Sequence, residues 1–375
     1  MPGKTGNAPN AKEKMFKLRI LDRYIIRKFI GAYLLSLALI AVVIIIFDVS
    51  EKIQNFVEKD APLRAIVFDY YINFIPYIVN MFSSLFVFIT VILFTSKMAS
   101  HSEIIAILSS GMSFRRLMYP YFVSAAFICA ISLVLNLFII PPATARRLAF
   151  EEQYVESPFY NSNRNMHFQV DTGTFVYMES FTTWNNTAQQ FSIEKIAGNK
   201  MVSKITADNA RWDDRKQTWN LSKYVKRTLL EQGETMERGD NLEMTVRLDA
   251  ADLKRRKHFS ESMNHTELND YIALLKQRGD KSVKYSLIQK NTRIAVPFSA
   301  FILTLIGVSL SSRKVRGGIG LKIGIGLALS FSYILFLRFS EMFVHSDTLS
   351  PAVALWVPNV LYAIVAALLY RMAPK

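Results

Sequence analysis

Five histidines, at positions 101, 167, 258, 265 and 345, are the side chains best suited to binding a metal or moving a proton near neutral pH. Their scatter gives no ligand spacing, and no H-E-x-x-H sequence occurs. Cys129 is alone, which excludes an intrachain disulfide and a cysteine-rich zinc site. Neither a G-x-S-x-G elbow nor a Walker A loop is present, so the chain is not expected to hydrolyse esters or ATP. The stretch GGIGLKIGIG looks superficially like a nucleotide loop, yet it opens an apolar run with no strand before it. Gly320, Gly324 and Ala328 stand four residues apart there, a spacing that lets a neighbouring helix approach closely. No enzyme activity and no cofactor follow from these residues.

Charges inside apolar segments are the more informative group. Arg338, with Glu341 one turn on, lies in a run that is otherwise apolar, and an ionisable residue in such a run is a functional suspect. At about 1.5 Å per residue, it falls near the far end of a helix crossing the bilayer, where a guanidinium reaches phosphate. The alternatives are an internal pair with Glu341 or snorkelling. Lys322, near the opposite end, reads as a snorkelling or packing residue.

The elements that position these groups follow from hydropathy. Residues 29–47 carry no charge, and a helix of that length spans about 30 Å of hydrocarbon. Similar stretches follow at about 70–95, 117–140, 294–310, 319–343 and 351–370. Six of them in a chain of 375 residues that is 51% hydrophobic predict a multi-pass membrane protein. The first stretch is too long for a usual signal-peptide core, and DVSEKIQ after it is not a small-residue cleavage site, so a retained anchor is expected.

Net charge is +15, and its distribution predicts orientation. The leader 1–28, the loop after the second stretch, the loop after the fourth and the C-terminal end together hold +13. The alternate loop at 48–65 is −1, and the block 141–290 is only +3. Basic loops stay in the cytoplasm, so both termini are expected there. The charge is a topology signal and gives no support to a nucleic-acid partner.

Residues 141–260 read as an outer β domain. Met166, Phe168 and Val170 alternate with polar residues, and Asp171-Thr172-Gly173 supplies a turn before Thr174–Tyr177. Further runs at Gln190–Ile196, Lys204–Trp212, Thr218–Val225 and Glu243–Leu248 suggest a sandwich or jelly roll. The run Lys254–Lys257 is a strand-end charge cluster, or a contact to lipid phosphate. Leu268, Tyr271, Ile272 and Leu275 then predict an amphipathic connecting helix within 261–291, with Gly279 as its stop. Residues 292–375 carry the last three spans, as 29–140 carry the first three.

The short loop between the second and third spans is the remaining candidate for chemistry. In a helix at about 99–114, Ile104, Ile107 and Leu108 form one apolar face extended to Gly111, and Glu103 sits in the first turn. Such a helix lies on a membrane or docks into a partner's groove.

Three stretches together carry a family resemblance: Leu21-Asp22-Arg23-Tyr24-Ile25, Ser102-Glu103-Ile104 through Ser110-Gly111-Met112-Ser113, and Leu268–Gly279 running into Arg293-Ile294-Ala295-Val296-Pro297. With the order of three spans, β domain and three spans, the whole chain resembles the LptF/LptG (YjgP/YjgQ) permeases, and its opening leans to the LptG side. The resemblance implies a membrane α-helical fold with an inserted periplasmic β-jellyroll, in the bacterial inner membrane. It implies a permease subunit that extracts lipopolysaccharide, paired with a second LptF/LptG-type subunit. An LptB-like ATPase dimer would drive the pair, and an LptC/LptA-like jellyroll bridge would receive the lipid. The family's coupling-helix glutamate matches Glu103. Family members also carry basic residues at the outer end of the first helix that contact lipid phosphate. Here Asp48 and Glu51 stand in that region, with Lys52 as the basic candidate. Leu35 and Val43 on the first span, and Phe331 and Leu335 on the fifth, are expected to line a lipid path. The alternatives are a non-transporting scaffold for a periplasmic partner, or a permease for another amphiphile such as lipoprotein.

Overall fold

A computed structural model describes residues 19–155, 164–198, 200–230, 232–254, 257–280, 282–312 and 318–373. Most of the basic leader, the centre of the Lys254–Lys257 run and the basic loop at 313–316 lie outside the described residues. A chain crossing hydrocarbon must satisfy its backbone groups internally, and helices do so. Among the described residues, six helices are long and apolar enough to cross a membrane. They are α1 (Ile20–Glu58), α2 (Leu63–Ser100), α4 (Phe114–Tyr154), α7 (Val283–Ser311), α8 (Gly318–His345) and α9 (Pro351–Met372). The short α3 (Glu103–Ser109) joins α2 to α4.

Several spans exceed their apolar runs, and α4 and α7 do so through long polar continuations. α4 continues through a π-helical stretch at Leu135–Ile139 and Pro141-Pro142 to Tyr154, where a boundary near 140 was expected. Pro141 and Pro142 stand in the first turn of the regular segment that resumes at Ile140, where a missing N–H is best tolerated. The polar residues after them, Arg146 to Glu152, hide the helix from a hydropathy reading. α7 begins at Val283, eleven residues before its apolar run, and tightens to a 3₁₀ turn at Val296–Phe298 around Pro297. α2 has a π-helical stretch at Ile66–Tyr71, and the Asn73 amide donates to the Phe68 and Asp69 carbonyls there at 2.9 and 3.0 Å.

The chain divides into two compact units. The first takes residues to Asp48, Ile75–Asn136 and Thr292–Lys375. Its core is organised by a seam on α1, where Ile25, Phe29, Tyr33, Leu37 and Ala41 recur every fourth residue and are buried. Gly307 lies so close to Val91 and Phe88, and Gly326 to Ile92, that an added Cβ would collide with those side chains. Polar side chains join helices within the span. Tyr33 bonds Ser83 at 2.7 Å, Ser132 donates to Asn80 at 2.6 Å, and Asn80 donates to Asn136 at 3.0 Å.

The second unit takes Val49–Phe74 and Leu137–Asn291. Its strands are β1 (Met166–Asp171), β2 (Thr174–Met178), β3 (Ser180–Thr182), β4 (Thr187–Ala197), β5 (Lys200–Asp213), β6 (Thr218–Leu229) and β7 (Glu234–Met244). They form one antiparallel seven-stranded sheet in the order β1-β2-β4-β5-β6-β7, with β3 paired to β4. One face is buried around Trp219, whose ring stacks on Phe191 at 5.3 Å and meets Trp212 edge-on at 5.5 Å. The Trp219 indole donates to the Leu248 carbonyl at 2.7 Å. That places Leu248 beneath the sheet as a buried acceptor, whereas a strand over Glu243–Leu248 was expected. The last strand instead runs through Glu234–Met244. Most of its side chains are exposed, so it shows no apolar alternation to read. The Gly173 turn is as expected, with φ +70° and its carbonyl accepting from Ile196 at 2.7 Å. At the β5–β6 turn, the Arg215 and Lys216 backbone N–H groups bond the Asp213 carboxylate and hold its pKa below the ordinary value.

Two helices complete the second unit, α5 (Ala250–Lys254) and α6 (His265–Gln277). α6 buries Leu268, Ile272 and Leu275, and Gly279 follows it at φ +64°. Asn264 and Glu267 form a capping box at its start.

Candidate functional site

The loop between α2 and α4 is built from local rules. Ser102, at φ +61°, breaks the path of α2, and Glu103 opens α3. Gly111, at φ +87°, lies beyond the end of α3 and donates to the Leu108 carbonyl at 3.1 Å. It therefore stops the helix instead of extending its apolar face, and α3 is shorter than the 99–114 expected. Ser113 then caps α4, its hydroxyl accepting from the Arg116 N–H at 3.3 Å.

The apolar face of α3 is spent inside the first unit. Ile104 is 1% exposed, and Ile107 and Leu108 pack against the cluster that contains Ile25, Phe29, Met98, Phe114 and Leu117. What remains outward is Glu103, Ile105, Ala106 and Ser109. Ile105 falls off the i, i+3, i+4 pattern, so that pattern assigned it no role. His101 lies 3.8 Å from the Glu103 carboxylate.

Beside this loop stands a pair that sequence reading did not connect. Arg116 donates through both terminal nitrogens to Asp22, at 2.7 and 2.5 Å. Asp22 is buried, and its carboxylate also accepts from the Arg19 backbone N–H at 2.8 Å at the start of α1. The Arg116 guanidinium lies over the Tyr119 ring at 5.1 Å. No local motif marks a pair 94 residues apart.

Lys52 is held in the second unit by an aromatic cage. Its ammonium bonds the Tyr70 hydroxyl, lies 4.7 Å from the Tyr70 ring centroid and 5.8 Å from that of Phe74, and meets Glu151 at 3.5 Å. Arg147 joins the same group, over Phe74 at 5.4 Å and 3.8 Å from Glu151. Tyr70, Arg147 and Glu151 were not legible as its partners, because three separate helical segments bring them together. Arg338 bonds Glu341 at 2.9 and 3.1 Å but keeps an exposed side chain.

The apolar candidates point outward. Leu35, Val43, Phe331 and Leu335 are exposed, on the two spans with the least burial of the six. Gly320 and Gly324 meet no atom within 4 Å of a built Cβ, and Ala328 is exposed. The close helix contacts of this region are made by Gly326 and Gly307. A small cavity of about 60 Å³ lies within the first unit between Tyr33, Leu37, Asn80, Ser83 and Ile131.

Comparison with curated proteins found no match. The family model described as "Lipopolysaccharide export system permease LptF/LptG" matches residues 23–372. That match takes in all six apolar helices and the sheet inserted between the third and fourth of them, and the chain belongs to the LptF/LptG family of lipopolysaccharide export permeases.

Proposed function

We propose that the chain is one permease subunit of an ATP-driven exporter that extracts lipopolysaccharide from the inner membrane and passes it towards the outer membrane. A cytoplasmic ATPase dimer docks on α3, and a second permease subunit of the same family covers part of the outward apolar surface. The β domain faces the periplasm and hands lipid to a jellyroll bridge protein. The observation that carries the reading is the division of labour in α3. Ile104, Ile107 and Leu108 anchor it to the helices, while Glu103, Ile105 and Ala106 remain outward for a partner. A helix held this way passes a push from its outer face directly into the packed core.

Lipid would run along the exposed faces of α1 and α8, past Leu35, Val43, Phe331 and Leu335. Acyl chains leaving the bilayer need apolar cover throughout, at roughly 0.8 kcal/mol per CH₂. Arg338 is the candidate for a lipid phosphate, with Glu341 as the partner it would exchange. Lys52 contributes through its cage, whose hydroxyl and carboxylate a phosphate would displace. Gly320, Gly324 and Ala328 offer the second subunit a close approach.

Affinity purification of the membrane chain tests this reading. An ATPase should co-purify with the wild type and be lost from Glu103→Arg, whose side chain faces outward. Photo-crosslinkers at Leu35, Val43 or Phe331 should capture lipopolysaccharide. Purification without any ATPase, or crosslinking only to another amphiphile, would refute it.

A further inference from the structure

We propose that Asp22 and Arg116 form the rigid joint through which movement of α3 reaches α1. The inference rests on the exporter reading above and names two positioning residues that it did not require. Only Met112 and Ser113 separate Gly111 from α4, so a displacement of α3 is passed to the first turn of α4. Arg116 sits in that turn, its N–H on the Ser113 cap and its guanidinium committed to Asp22 through two bonds. A fork of two parallel bonds fixes orientation as well as distance, which a single contact does not.

The other half of the joint is equally constrained. Asp22 is 2% exposed and fastened to the start of α1 by the Arg19 N–H. Stranding either charge there carries a desolvation cost, so the joint resists slipping as the loop moves. The apolar contacts around it run in the same direction. Ile25 and Phe29 of α1 share one buried cluster with Ile104 of α3 and Phe114 of α4. The packed cluster transmits a displacement, and the bidentate pair adds a fixed register at one point within it. The helix so driven is α1, whose exposed face carries Leu35 and Val43.

Two measurements on the full chain test the joint, one independent of transport. Spin labels at Arg27→Cys and Ser109→Cys, with Cys129→Ser, report the α1–α3 distance in nanodiscs. The native pair should give one narrow distribution. Asp22→Asn and Arg116→Gln should broaden it, Arg116→Lys should broaden it less, and the exchange Asp22→Arg with Arg116→Asp should narrow it again. Narrow distributions in the single variants, or no recovery on exchange, overturn the proposal. Should Asp22→Asn fail to fold, Arg116→Lys keeps the charge and supplies the same comparison.

In the complex with the ATPase, lipid moved per ATP hydrolysed should fall roughly tenfold in the single variants while the ATPase stays bound. The exchange should restore it. Unchanged lipid per ATP in the single variants also overturns the joint. A native complex that hydrolyses ATP without moving lipid removes the exporter reading and leaves the joint to be decided by the distances.

Discussion

At the scale of single residues, the positions that matter most are those where one atom more or less has nowhere to go. Gly173 is the clearest. Its φ of +70° suits glycine, and a Cβ there would stand 2.2 Å from the Ile196 carbonyl oxygen, a backbone atom that cannot swing aside. Gly173→Ala should destabilise the β domain by about 1–3 kcal/mol, since strain of this kind falls in that range. Limited proteolysis of the full chain should then cut within β1–β4 at lower protease or lower temperature. An unchanged digestion pattern would mean that the turn relaxes. Sequence reading found this residue because Asp171-Thr172-Gly173 between two alternating runs is a local signal. It did not find Lys52's cage, because Lys52 and Glu151 lie 99 residues apart and a lone basic residue announces no partner.

At the scale of elements, α3 separates two roles that its sequence merges. Apolar spacing identified a short amphipathic helix, but spacing alone does not say what its apolar face is packed on. Ile104 is buried and Ile105 is 49% exposed, so neighbours in sequence should behave oppositely. Ile104→Ala leaves a cavity and should cost about 2–5 kcal/mol, read as a lower melting temperature of the detergent-solubilised chain. Ile105→Asp should leave that temperature unchanged and abolish retention of the ATPase. If Ile105→Asp melts early or keeps the ATPase, α3 is packed the other way round. The spans themselves were legible because hydrocarbon imposes a length and a composition. Their continuations were not: Arg146 to Glu152 in α4 and Val283 to Arg293 in α7 carry polar side chains on a helical backbone. β7 was missed for a related reason, since an exposed strand carries no alternation.

At the scale of the whole molecule, the charge distribution makes the widest-reaching prediction. Four segments hold +13 of the net +15, and every one of them lies on the same side if each of the six helices crosses once. Retention of Lys and Arg in the cytoplasm during insertion then places α3 inside the cell and the sheet outside it. Single cysteines in a Cys129→Ser background decide the matter with a membrane-impermeant maleimide on intact spheroplasts. Trp184→Cys, on an exposed position of the β domain, should label at once. Ser110→Cys, on the exposed end of the α3 loop, should label only after permeabilisation. The reverse pattern would put the proposed docking surface on α3 in a compartment without ATP, and no arrangement of Glu103, Asp22 and Arg116 would then drive transport. Labelling of both positions in intact spheroplasts would mean an even number of crossings between them, with α4 failing to span although it carries an uncharged apolar run from Leu117 to Ile140.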